Sequence, residues 1–159
     1  MMQWSERTDG ANFYITRYDT VGGRRFSFLQ KAMAVRREIN WLTHRMANMA
    51  MDHIENNFKA QGFVDETIHR WPKRRRPASW PILQKTGKLK MIKRQNQSRN
   101  SVTLTSAAPY AGVHNRPVGE IKKYGPYNYP GRMFMGHSQV LADATKKMIV
   151  TRINMAMQS

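Results

Sequence analysis

Between residues 27 and 61, apolar side chains recur every three or four positions. Val35, Ile39, Leu42, Met46, Ala50, Ile54 and Phe58 draw one stripe. This period predicts a long helix, with Ser27 placed to cap its start and Gly62 placed to end it. At a rise of about 1.5 Å per residue the helix runs about 50 Å. That is more than a chain of this size covers by itself, so part of the stripe is expected to pack on another chain. Met33, Met46, Met49 and Met51 read as flexible packing residues, not cofactor ligands. A second helical period, Leu141, Thr145, Ile149, Ile153 and Met157, predicts a closing helix from Ser138 to about Met157.

Elsewhere the period falls to two or disappears. FYITRY (13–18) and SRNSVTLTS (98–106) alternate as strands, and TVGGRR (20–25) reads as a turn or flexible joint. Residues 62–81 are the least regular, with WPKRRRPASWP at their heart; each proline biases the tryptophan before it towards extended backbone. ILQKTGKLKMIKRQ (82–95) suits a short helical or turn element, and the Gly-, Pro- and Tyr-rich stretch 116–136 a loop or hairpin. The expected class is α+β: a long N-terminal helix and a C-terminal helix packed on a small antiparallel sheet, with an extended N-terminal arm. The arm covers 1–25, a single domain covers 26–159, and a basic loop projects at 68–81.

Charge changes the picture more than hydropathy does. Lys and Arg number 27 against 10 acids, a formal net charge of +17. Between Glu66 and Glu120 there is no acid at all, while twelve Lys or Arg occur. Self-repulsion on this scale favours association with something negative, either nucleic acid or an acidic protein surface. The candidate contact residues are Trp71, Lys73, Arg74, Arg75, Arg76, Trp80, Lys85, Lys88, Lys90, Lys93 and Arg94. Cations flanked by tryptophans suit phosphates and stacked bases, and equally a loop seated in a neighbour's apolar notch. One reading is therefore a stand-alone nucleic-acid-binding protein, although no helix-turn-helix, zinc-finger or RNP-like pattern accompanies the charge.

Catalytic chemistry finds little to work with. There is no cysteine, and the five histidines never approach a paired-ligand spacing, so no metal or cofactor is expected. KTGKLK fails as a phosphate-binding loop, because no glycine stands five places before Gly87 and Leu89 replaces the Mg²⁺-binding hydroxyl. Carboxylates are absent from the central region, so no enzyme is expected. MMQWSERTDG lacks an apolar signal region and no run of eighteen apolar residues occurs, so neither secretion nor a membrane span is expected.

Four segments in order then resemble the phage virion-morphogenesis family, the tail-completion or neck proteins of long-tailed phages. They are NNFKAQGF (56–63) ending the long helix, ILQKTGKLKMI (82–92) after the Trp-Pro loop, VTLTSAAPYAGVHN (102–115), and PGRMFMGHS (130–138) before the last helix. The resemblance spans residues from about 28 to 157. It implies a structural subunit of the virion, assembled in the host cytoplasm as a homo-oligomeric ring, a hexamer by likeness. Such a ring joins other neck, portal-adaptor and tail-tube proteins, with DNA a possible contact in its channel. It further implies that Leu83, Thr86, Gly87 and Leu89 form the turn feeding the sheet. Tyr110, Ala111, His114 and Asn115 would end a strand, and Arg132 and Phe134 would introduce the last helix. In SAAPYAGVHN, Pro109 is expected to end the ladder, Gly112 to permit a turn, and His114 and Asn115 to bond nearby backbone. The arm and the long 114–132 segment depart from the family pattern and suit contacts particular to one virion.

Overall fold

The computed structural model describes residues 3–9, 12–21, 24–96, 98 and 101–158, with side chains from residue 31 onward. The Gly22–Gly23 joint and the capping side chain of Ser27 lie outside the described residues. In chain order the elements are β1 (Gln3–Asp9), β2 (Asn12–Val21), β3 (Arg24–Ser27), α1 (Phe28–Ala60), β4 (Gly62–Val64) and β5 (Ile68–Arg70). A 3₁₀ turn (Lys88–Lys90), β6 (Ile92–Gln95), β7 (Thr103–Ser106), α2 (Ala111–His114), β8 (Ile121–Tyr124), β9 (Tyr127–Pro130) and α3 (Gln139–Gln158) follow. The fold is α+β. Its strands form a three-stranded antiparallel sheet, β1-β2-β3, and three separate hairpins, β4–β5, β6–β7 and β8–β9.

The chain divides into two compact units, one of residues 43–147 and one of residues up to 42 together with 148 onward. The boundary between them falls within both α1 and α3. In the smaller unit the leading segment is built of strands. β1 pairs with β2 from Gln3↔Tyr18 to Asp9↔Asn12, and β2 with β3 from Tyr18↔Ser27 to Val21↔Arg24. Pairing satisfies backbone donors and acceptors that a lone strand leaves to water, and three strands are the smallest sheet with independent stability. Within this unit Arg152 of α3 donates to Glu38 of α1 at 2.7 Å, and its guanidinium lies 4.7 Å from the Trp41 ring centroid.

The larger unit holds the core: Ile54 and Phe58 of α1, Trp71, Leu89, Ala108 and Phe134. Phe58 meets Trp71 edge-on at 5.4 Å and Phe134 at 5.2 Å. Burying each such ring contributes about 1.5–3 kcal/mol. The α1 stripe is rotated slightly from expectation, for Met46 is exposed and Ala47 beside it is buried.

The helix also ends one residue early. Gln61, not Gly62, takes the left-handed conformation (φ 52°). Its side chain compensates by donating to Phe58 O at 2.7 Å and accepting from Ile82 N at 2.7 Å. Gly62 instead enters β4, where a Cβ would stand 2.8 Å from His69 O across the hairpin. Residues 68–70 of the expected loop are thus strand. At the far end, Ser138 Oγ accepts from Leu141 N at 3.3 Å and donates to Asp65 Oδ1. Asp65 accepts from Gln139 N at 2.8 Å, so the hairpin turn after β4 helps cap α3.

Candidate interaction surface

The basic loop folds on its own tryptophan. Arg74 and Lys85 lie 5.7 Å and 5.3 Å from the Trp80 ring centroid, and Arg74 Nη2 donates to Pro81 O at 2.5 Å. Cation–π attraction and this hydrogen bond fix two cations beside an indole that is 39% exposed. Lys73, Arg75, Arg76, Lys85, Lys88, Lys90, Lys93 and Arg94 are exposed, and Arg94 donates to Asn48 Oδ1. The ion pairs among the described residues are Lys59–Glu55, Arg116–Glu120 and Arg152–Glu38, so none of these basic side chains has a carboxylate of its own.

Trp71 does not belong to this surface. It is 4% exposed, and its Nε1 donates to Met133 O at 2.8 Å while its ring fills the core against Phe58. The proline after it sets the extended backbone, and Pro72 O accepts from Nε and Nη2 of the buried Arg132, both at 3.1 Å. Burial, and then the charge of Arg74, lowers the Arg132 guanidinium from its ordinary value. Tryptophan and arginine together tie the root of the loop to the segment before Phe134.

The motif residues organise the core. Leu83 is half-buried with φ 61°, Thr86 is exposed, and Gly87 at φ 70° leads into the 3₁₀ turn that buries Leu89. Tyr110 and Ala111 do not end a strand; they open the single helical turn α2, and Gly112 lies inside it without a positive φ. Asn115 reaches backbone nineteen and twenty residues away. Its Oδ1 accepts from Phe134 N and Met135 N at 2.9 Å each, and its Nδ2 donates to Met135 O at 2.9 Å. From the other side, the buried Asn57 of α1 donates to Phe134 O at 3.1 Å and accepts from Val64 N at 2.8 Å. Phe134 is fully buried between these two clamps.

His114 packs its ring edge-on between Tyr110 at 6.2 Å and Tyr129 at 6.0 Å. Its Nδ1 is buried without a hydrogen-bond partner. Burial, then the charges of Arg132 and Arg116, lowers its pKa and keeps the ring neutral. His53 is likewise lowered by burial, opposed by Asp65, and packs on Phe63. Among the described residues no three His, Cys, Asp or Glu side chains gather as a metal site, and no helix is long and apolar enough to cross a membrane.

The β8–β9 hairpin lies in the 114–132 segment that the sequence marked for contacts, although no residue of it was named as a contact. Ile121, Tyr124 and Tyr127 are exposed on it, and Tyr129 contacts both Tyr124 and Tyr127. Its signal was present in IKKYGPYNYP, a Gly-Pro turn between tyrosines. No family model, no curated protein and no solved structure matches the chain.

Proposed function

We propose that this chain is a structural subunit of a phage virion, building a homo-oligomeric ring at the neck or upper end of the tail. The observation that carries the reading is the state of the closing helix. α3 runs for 20 residues without one buried side chain, and Val140, Val150, Met155 and Met157 stand exposed on it. Met33 and Trp41 of α1 are exposed as well. Apolar surface of this kind on two helices is what a neighbouring copy covers. The four motif segments add the phage assignment, and their residues set a core, in keeping with a scaffold.

The basic face then meets acidic neighbours in the virion. A stand-alone nucleic-acid-binding protein fits it less well, because Trp71 is buried and Trp80 already lies beside two cations, leaving few open rings for bases. Electron microscopy of the purified chain tests the reading: annular particles with a central channel are expected. Dispersed single chains that bind oligonucleotides tightly, with affinity falling steeply as salt rises, would overturn it.

A further inference from the structure

A closed ring needs two different and complementary surfaces on each subunit. The larger unit carries such a pair. The cross-strand pairs of the β8–β9 hairpin alternate between its faces: Lys122↔Tyr129 and Tyr124↔Tyr127 on one, Ile121↔Pro130 and Lys123↔Asn128 on the other. Ile121 is 69% exposed and Tyr127 64% exposed. With apolar side chains on both faces, this finger suits insertion into a cleft better than lying on a flat surface.

The finger is held ready at its root. Arg116 donates from Nη2 to Tyr129 O at 2.7 Å, from Nε to Val113 O at 3.0 Å and from Nη1 to Glu120 Oε1 at 3.1 Å. Gly131 N donates to Glu120 O at 2.5 Å, and a Cβ on Gly131 would stand 2.0 Å from Pro117 O. An isolated two-stranded hairpin is marginal in water, and this clamp supplies the preorganisation that binding otherwise costs.

The complementary surface runs along α1. Met51, Asp52, Ile54, Glu55 and Phe58 face Lys90 and Ile92 across a cavity of about 240 Å³. That is below the roughly 300–1,000 Å³ of small-molecule sites and suits an inserted side chain. Its floor is apolar and its rim carries two carboxylates. Glu55 is held by Lys59 at 3.0 Å, whereas Asp52 is exposed and has no ion pair among the described residues. On the finger, Lys122 lies 5.5 Å from the Tyr124 ring, and neither it nor Lys123 has a carboxylate partner among the described residues.

We infer that the tyrosine face of this hairpin, led by Tyr127, docks in the α1 groove of a second copy, with Lys122 facing Asp52. The inference rests on the ring reading and names the junction that would close it. Charge favours a copy over a nucleic acid here. Asp52 would repel phosphates, and a nucleic acid would leave Ile121 and Tyr127 uncovered.

The test is a mixing experiment on the full chain, read by mass in solution. The finger variant carries Ile121→Ser and Tyr127→Ser; the groove variant carries Asp52→Lys. All three positions are exposed, so both variants are expected to keep the wild-type circular dichroism. Wild type is expected to associate, and each variant alone to associate on the order of tenfold more weakly or worse. Mixed where each alone is monomeric, they share one intact finger and one intact groove, so dimers form and growth stops there. Lys122→Asp combined with Asp52→Lys is expected to regain part of the lost association. Variants that assemble like wild type, or a mixture that stays monomeric, overturn the junction and leave the ring reading standing. A wild type that is itself monomeric overturns both. Loss of oligonucleotide binding in the finger variant, with its mass unchanged, would assign the finger to nucleic acid instead.

Discussion

Replacing Asn115 with alanine isolates the clamp on which the core geometry depends. The change removes three hydrogen bonds at once, two accepted from Phe134 N and Met135 N and one donated to Met135 O. Each bond contributes a net 0.5–1.5 kcal/mol or so, and a backbone group left buried without a partner costs about 1–3 kcal/mol. Asn115 is half-buried, so water replaces part of what is lost, and about 2–4 kcal/mol of destabilisation is expected. Against a typical domain stability of about 5–15 kcal/mol this is a large fraction. Urea unfolding followed by circular dichroism reads it as a lower midpoint with an unchanged slope. Asn115→Asp keeps both acceptor bonds and loses only the donor, so it is expected to be milder than alanine. A loss below about 0.5 kcal/mol for Asn115→Ala would refute the claim that this side chain holds the segment before α3.

Three further outcomes follow from the same contacts. Trp71→Phe keeps most of the buried ring but strands Met133 O, so a stability loss of about 1–2 kcal/mol is expected in the same assay. His114 has its pKa lowered from 6.5, by burial first and then by Arg132 and Arg116, so below pH 6.5 the unfolded chain binds protons that the folded chain refuses. Stability therefore falls as pH drops below that value, and His114→Phe is expected to flatten this limb in unfolding curves between about pH 7.5 and 5; an unchanged slope would contradict the assignment. Reversing Arg74, Arg75 and Arg76 to Glu is expected to loosen the loop where Arg74 meets Trp80 and Pro81, to leave the core intact, since none of the three has a carboxylate partner among the described residues, and to abolish joining to acidic neighbours. Intact assembly would remove the loop from the interface.

The two helices, and the strand at Thr103–Ser106 within the alternating stretch 98–106, were legible in the sequence because their apolar spacing matches their own period. What escaped reading depended on contacts distant in the chain. Nothing near Asn115 indicates that it bonds backbone nineteen residues on, and nothing near Asp65 indicates that it caps a helix beginning at Gln139. Trp71 and Trp80 have the same local signature, a Trp-Pro pair beside cations, yet one is core and the other surface. Contacts distant in the chain, Met133 O and the Phe58 ring, separate them. FYITRY alternated as a strand and lies within β2, but β1 and β3, which pair with it, carried no such signal. A loop or hairpin was legible at 116–136, but which of its side chains share a face appears only once the register is known.

Sedimentation equilibrium of the full chain in high salt tests the central claim most directly, because salt removes the self-repulsion of a +17 chain and spares apolar contacts. The account predicts a single species at an integer multiple of 18.6 kDa, larger than a dimer. A mass that stays at 18.6 kDa across the accessible concentration range would contradict it.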